Sequence, residues 1–297
     1  MTGSEPSKAR TAPRISEVLA TTAQEALEAK ILRDVRQSPV PRHLAIIMDG
    51  NRRFARANGL LAVEGHLKGK DKLEELLNWC LEIGLRVLTV YALSTENFSR
   101  PPEEITQLMD LFAESFRKIG DDPRVHRHHI RVRAIGNLSR LRPDVQEAIR
   151  YAEERTQGYV EYFYNIAIAY GGREEILQAI RSIATDVRQG RLTPEEIDES
   201  TVSRRLYTQD LPDPDLVLRT SGEERISNFL LWQVAYSELY FSDVMWPGLR
   251  KLDFLRAIRV YQRRETVDSS ISSGVSRPCR TSVAMERMAW RISSRPP

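Results

Sequence analysis

From about residue 44 to residue 264, short apolar runs alternate with longer stretches in which apolar residues return every three or four positions. The short runs, at 44–48, 87–93, 130–135, 162–169, 216–218 and 239–244, have the length and β-branched or aromatic content of strands. The longer stretches, at 67–82, 103–118, 144–156, 173–189, 194–206, 226–236 and 252–264, predict helices, several opened by Pro or by an Asp or Ser cap. Alternation of this kind predicts a single α/β domain over 41–265, with a mostly parallel central sheet flanked by helices. Upstream, Leu27, Ile31, Leu32 and Val35 recur at helical spacing until Pro39 and Pro41 end the pattern, so 1–40 reads as a tail leading into a packing or docking helix. From Thr266 on, Ser and Arg are frequent and no period is sustained, which predicts a poorly ordered tail over 266–297.

Charge changes this picture little. The 44 basic residues exceed the 41 acidic ones by three, too small a surplus to indicate nucleic-acid binding, and anionic small substrates stay open. The two cysteines, Cys80 and Cys279, offer neither a disulfide framework nor a CxxC site, as in a reducing compartment. No apolar run approaches the length of a membrane span, and the first residues lack an apolar signal core. The expectation is a cytoplasmic protein whose membrane contact, if any, is peripheral.

Parallel sheets place ligands at the carboxyl ends of their strands, so the loops after the strands are where chemistry is sought. The first runs Met48-Asp49-Gly50-Asn51-Arg52-Arg53-Phe54: a carboxylate leaves an apolar strand, a Gly permits a tight turn and two arginines open a helix. Backbone N–H groups and guanidinium donors there suit a phosphate, and Asp49 suits the Mg²⁺ a diphosphate carries. An Asp-Gly turn followed by solvated arginines is the plainer alternative. The second loop, residues 92–101, is rich in small hydroxyl and amide groups, and Ser99 or Pro101 can equally start a helix. The third, residues 219–229, spreads Arg219, Arg225, Ser221 and Ser227 around Gly222, either as an anion cradle or as a surface turn neutralised by Glu223 and Glu224. Glu238 stands in an aromatic, apolar setting where a carboxylate needs an Arg partner or a metal. His66 alone reads as a hydrogen-bonded structural residue. Residues 65–71 have the wrong spacing for a P-loop, and 121–125 lack the last acid of a DDxxD metal motif.

Taken together, these loops resemble the cis-prenyltransferase family, which includes undecaprenyl and dehydrodolichyl diphosphate synthases. The resemblance covers about residues 41–264. It rests on His43-Leu-Ala-Ile-Ile-Met-Asp-Gly-Asn51 with Arg53, Glu64-Gly-His66, Tyr91-Ala-Leu-Ser-Thr-Glu-Asn97, Ala169-Tyr-Gly-Gly-Arg173, Leu218-Arg-Thr-Ser-Gly-Glu223, Ile226-Ser-Asn-Phe-Leu-Leu-Trp-Gln233, Glu238-Leu-Tyr-Phe241 and Trp246-Pro247. It implies helices enclosing a hydrophobic tunnel, a homodimer, and condensation of isopentenyl diphosphate onto an allylic primer, farnesyl or geranylgeranyl diphosphate. The product implied is a long polyprenyl diphosphate, a precursor of glycosyl carrier lipids. By the same resemblance Asp49 and Glu238 bind Mg²⁺, Gly50, Asn51 and Arg53 surround the allylic phosphates, and Arg219, Arg225 and Ser227 hold isopentenyl diphosphate. Arg52, Phe54, His66, Ser94, Glu96 and Arg100 join the substrate-binding set, and Asn51, His66 and Asn97 join Asp49 as catalytic candidates. Some relatives are silent subunits supporting an active partner, which is the alternative function.

Three positions depart from the family pattern. Ala62 stands where many members have an Arg four residues before the motif histidine, and Arg52 stands where many bacterial members have Gly. Many members also close with an Arg-x-Gly segment that helps hold isopentenyl diphosphate, whereas Arg263-Arg264-Glu265 here leads into Thr266-Val267-Asp268-Ser269. The expectation is a weakened isopentenyl diphosphate site.

Overall fold

A computed structural model describes residues 15–272. One compact unit ends at Tyr261; the second begins at Gln262, and of it only the end of the last helix is described. Six strands form one parallel sheet: β1 (His43–Ile47), β2 (Val87–Ser94), β3 (Ile130–Ile135), β4 (Tyr162–Tyr170), β5 (Leu216–Arg219) and β6 (Glu238–Phe241), in the order β3-β4-β2-β1-β5-β6. Around it run α1 (Ile15–Arg36), α2 (Asn51–Ala57), α3 (Ala62–Ile83), α4 (Pro102–Asp121), α5 (Pro123–Arg127), α6 (Pro143–Thr156), α7 (Gly172–Arg188), α8 (Glu199–Ser203) and α9 (Lys251–Ser272).

The inner strands β1, β2, β4 and β5 are mainly apolar because both sheet faces are covered there, whereas the edge strands β3 and β6 carry Arg131, Arg133 and Glu238. Side chains alternate: Leu44, Ile46, Val90, Ile168 and Leu218 join the core formed with α3, α4, α6 and α9, while Ala45, Ile47, Ala167 and Val217 pack with Tyr170, Phe229 and Leu230. Cys80 belongs to the first core, where burial pushes its thiol far above the usual range and leaves it an apolar filler. In α1, Ile31 and Val35 are buried as the stripe predicts, but Leu27 is exposed.

Two predicted helices differ in the structure, one broken into short pieces and one absent. Over 194–206 the caps Thr193 and Asp198 start two separate short turns, Pro194–Glu196 and α8. Over 226–236 the apolar spacing is helical but the backbone is not: Ser227, Asn228 and Leu230 have φ of 48°, 62° and 45°. Tertiary bonds override propensity there. Gly172 N–H donates to the Asn228 carbonyl at 2.7 Å, Arg173 N–H donates to the Asn228 side chain at 2.9 Å, and Phe229 stacks on Tyr91 at 4.5 Å. At the other end α9 continues to Ser272, past the predicted domain limit at 265, since no Pro or Gly intervenes before Gly274. The remainder of the predicted 266–297 tail, and residues 1–14, lie outside the described residues.

The connection after β1 leads toward β2 on one side, whereas β5 and β6 lie on the other. Strand order reverses at β1 and β5, which opens a crevice beyond their carboxyl ends. The amino end of the sheet is closed instead. His43 lies 2.6 Å from the Pro212 carbonyl and 2.8 Å from Thr89 Oγ1, Asn165 donates to the same hydroxyl at 3.1 Å, and Asp215 accepts the Arg42 and His43 N–H groups.

Candidate active site

Asp49 leaves β1 into the crevice and is fixed by its neighbours. Its N–H donates to Thr220 Oγ1 at 3.0 Å, that hydroxyl donates back to the Asp49 carbonyl at 2.7 Å, and Trp246 N–H donates to the same carbonyl at 2.9 Å. The buried Trp246 indole in turn donates to the Gly69 carbonyl at 2.8 Å, tying this loop to α3. Gly50 is required: its φ is 106°, and a Cβ would stand 2.9 Å from Ser221 Oγ. The Asp49 carboxylate meets Arg219 at 2.8 Å and Arg53 at 3.1 Å. Burial pulls its pKa upward, but the hydrogen bonds and charges of Arg219 and then Arg53 outweigh that and hold it below the usual carboxylate value.

Arg219 is 3% exposed and also donates to Ser227 Oγ at 2.7 Å and to the Arg225 carbonyl. Ser227 therefore faces the crevice because of the same positive-φ turn that replaces the predicted helix. Glu223 takes Arg53 at 3.0 Å and also pairs with Arg225. Of the two acids expected to neutralise the third loop's arginines, Glu223 is the one seen paired, with Arg53 and Arg225, while Arg219 turns to Asp49.

Asp49, Gly50, Asn51, Arg52, Arg53, Arg56, His66 and Arg100 line one polar pocket. Glu104 stands behind it, 8% exposed, accepting from Arg100 at 3.0 Å and from His66 Nε2 at 3.2 Å, with Arg52 at 3.7 Å. Burial lowers the His66 pKa, and Arg100 lowers it further against the opposing bond from Glu104. Arg56 and Glu104 escaped the sequence reading. Their signal was helical spacing, Arg56 four residues after Arg52 and Glu104 four after Arg100.

The remaining candidates divide. Ser94 and Asn97 cap each other across a 3₁₀ turn at 3.2 and 3.1 Å, so they shape the loop after β2. Glu96 accepts from Asn228 at 3.0 Å, joining that loop to the 226–236 segment. Phe54 lies against the turn at Gly248 and does not line the polar pocket. Glu238 opens β6 opposite Leu216, whereas Asp49 follows the end of β1 that registers with Arg219. The register puts them at opposite ends of the sheet, so one chain does not assemble the expected Asp49–Glu238 pair.

Among the described residues no group of three or more His, Cys, Asp or Glu is arranged for a metal ion. An ionised Asp49 beside an anion pocket still fits Mg²⁺, which accepts one or two carboxylates and completes its shell with water and substrate phosphate oxygens. Asn51 also lines the pocket, with its Oδ1 buried against Gly69 and without a hydrogen-bond partner.

A second, apolar cavity begins at Met48, Asn51 and His66, which it shares with the polar pocket, and continues between α3 and α4 past Leu73, Leu77, Leu108, Phe112 and Phe116. A sequence model of the undecaprenyl diphosphate synthase family matches residues 47–267. The chain is 57% identical over 231 residues (78% of this chain and 85% of the relative) to a tritrans,polycis-undecaprenyl-diphosphate synthase (geranylgeranyl-diphosphate specific) of Methanopyrus kandleri. It is 50% identical over 242 residues (80% and 92%) to an isoprenyl transferase of Thermus thermophilus. The crystal structure of lavandulyl diphosphate synthase from Lavandula x intermedia, in complex with dimethylallyl diphosphate, superposes with a TM-score of 0.72 at 38% identity, covering 75% of this chain and 95% of that one. With the Asp49 crevice and the adjoining apolar cavity, these similarities identify the chain as a transferase of the undecaprenyl diphosphate synthase family, the cis-prenyltransferases.

Proposed function

We propose that this enzyme extends geranylgeranyl diphosphate with isopentenyl diphosphate to a long-chain polyprenyl diphosphate, a precursor of glycosyl carrier lipids. The observation that carries the reading is the sharing of Met48, Asn51 and His66 between the polar pocket and the apolar cavity. A molecule with an anionic head and a hydrocarbon tail spans both. The primer preference follows the relatives from Methanopyrus kandleri and Methanocaldococcus jannaschii, which are geranylgeranyl-diphosphate specific.

In this mechanism Arg52, Arg53, Arg56 and Arg100 hold the primer's diphosphate, and Arg56 supplies the cation missing at Ala62. Arg219, Arg225 and Ser227 hold isopentenyl diphosphate. Asp49 and substrate oxygens would hold Mg²⁺, which when bound offsets charge on the departing diphosphate. Substrate phosphates displace Asp49 and Glu223 from some of their arginine contacts, so these carboxylates keep the cradle formed before substrate arrives. The isopentenyl double bond attacks the primer's allylic carbon as its bond to diphosphate breaks, the isopentenyl unit gives up a proton to the departing diphosphate to restore a double bond, and the arginines stabilise the leaving charge. Apolar walls keep water from the cationic carbon and take up the tail.

The test is incorporation of radiolabelled isopentenyl diphosphate into organic-soluble product with Mg²⁺ and geranyl, farnesyl or geranylgeranyl primers. Label should enter fastest with geranylgeranyl diphosphate. No incorporation with any primer would overturn the function, and preference for farnesyl diphosphate would overturn the primer. We further propose a homodimer formed along the β6 edge, where Leu239 is 41% exposed and the preceding Tyr236 98%. Sedimentation of Tyr236→Ser protein tests it. No helix among the described residues is long and apolar enough to cross a membrane, which supports a cytoplasmic enzyme meeting the bilayer only peripherally.

A further inference from the structure

One cluster on the cavity wall takes no part in the chemistry above. Glu74 of α3 gathers three cations: Lys118 of α4 at 2.7 Å, Lys70 of its own helix at 3.4 Å and Arg124 of α5 at 3.6 Å. Arg124 is held in addition by Asp122 at 2.6 Å and by Asn78 at 3.4 Å. The five charged residues line a cavity whose walls around them are mostly apolar, so α3 and α4 are joined by ions where they could have been joined by leucines. The contact to Lys118, with burial opposing, holds the Glu74 carboxyl below its usual pKa, so the cluster is charged at neutral pH.

Position gives the cluster a role. At 1.5 Å per residue, Glu74 lies about 12 Å along α3 from His66, and Lys118 about 21 Å along α4 from Glu104. A tail that starts at the polar pocket and lengthens by one isoprene unit per turnover reaches this seam and then outgrows the cavity. Beyond that point it must coil within the cavity or part the two helices. Parting them across leucines would expose only hydrocarbon that the tail itself covers again. Parting them across Glu74 strips charges of partners and water while hydrocarbon slides between them, which is unfavourable. Yet each pair keeps some exposure to solvent and is individually weak, so the barrier is finite.

We propose that the Glu74–Lys118–Arg124 cluster is a latch on the α3–α4 seam that sets the length at which the product stops growing. The proposal rests on the chain-extending activity put forward above. It predicts a separation of effects: the first condensation, far from the latch, proceeds normally, while later ones continue further once the latch is neutralised.

The experiment supplies the full chain with Mg²⁺, farnesyl or geranylgeranyl diphosphate and radiolabelled isopentenyl diphosphate, and sizes the dephosphorylated products by reversed-phase chromatography. Glu74→Gln removes the central charge with little change of shape, and Lys118→Met keeps the apolar stem of a half-exposed side chain. Both should shift the product distribution to chains longer by one isoprene unit or more, with the initial rate of the first addition within about twofold of the unmodified enzyme. Glu75→Gln, which alters the exposed neighbour paired with Lys72, should leave both unchanged. Products of unchanged or shorter length from the two folded variants, with label still incorporated, overturn the latch and leave the function standing. No incorporation by the unmodified chain overturns both.

Discussion

The two ends of β1 carry polar groups of similar cost to bury, and the fold uses them differently. At the amino end His43 is fully buried against Thr89 and the Pro212 carbonyl, and Asp215 closes the backbone beside it. Just past the carboxyl end Asp49 is also held, by the buried Arg219 and by Arg53, but there Asp49 and Arg53 open on a pocket. Groups at the amino end have spent their hydrogen-bonding capacity on the protein. Those at the carboxyl end keep some for a ligand. Substitutions at one end should therefore change stability, and at the other turnover.

The sharpest break of this contrast is Asp49→Ala, expected to lower kcat by about two to three orders of magnitude, as removal of a preorganised charge contact does. Circular dichroism should show the sheet intact. Near-normal turnover of the folded variant at saturating Mg²⁺ would sink the assignment. Next, Arg219→Ala and Arg225→Ala should each raise the KM for isopentenyl diphosphate about ten- to a hundredfold, the equivalent of roughly 1.5–3 kcal/mol. They part company in stability. Arg225 is 61% exposed and its loss should be neutral within about 0.5 kcal/mol, whereas losing the buried Arg219 leaves Asp49 half-partnered and should lower the denaturation midpoint. A change in the allylic KM alone would mean the two phosphate sites are reversed.

A smaller effect belongs to Glu104→Gln, which keeps the shape but uncouples Arg100, His66 and Arg52. About a tenfold drop in kcat/KM for the allylic substrate is expected, with the KM for isopentenyl diphosphate unmoved.

The smallest catalytic effect, and the largest dependence on pH, should come from His43. Burial, partly opposed by the Pro212 carbonyl and Asp215, lowers its pKa from 6.5 to about 4. The unfolded chain then binds the proton that the folded one refuses, so stability falls as pH drops from 6.5 through about 4, by an amount on the order of 3 kcal/mol. Urea denaturation of His43→Gln across that window should lose this slope while kcat at neutral pH stays within about twofold. A catalytic loss as large as that of Asp49→Ala would dissolve the distinction between the two ends.

How far the sequence disclosed this molecule depended on whether the cause was local. The apolar runs of β1 and β4 are long enough to be read directly, and the Asp49 and Arg219 loops follow from where parallel strands end. The 226–236 segment misled because Ile226, Phe229, Leu230 and Gln233 have helical spacing, while bonds from Gly172 and Arg173, more than fifty residues away, dictate its bends. Glu104 and Arg56 were hidden for a similar reason, since their importance lies in which helix faces meet. Glu238 shows the converse. Its aromatic setting marked it as unusual, but only strand register reveals that it lies at the far end of the sheet from Asp49.

β1 is central in the sheet yet early in the chain, and its partner β5 is Leu216–Arg219. At ordinary synthesis rates some ten to thirty seconds separate the emergence of the two strands. Until then Leu44–Ile47 present one unpaired edge, and Asp49 has no Arg219 to meet. The crevice is therefore among the last parts of the domain to form, and a nascent chain halted before Leu216 holds β1 through β4 with an aggregation-prone apolar strand open along one side.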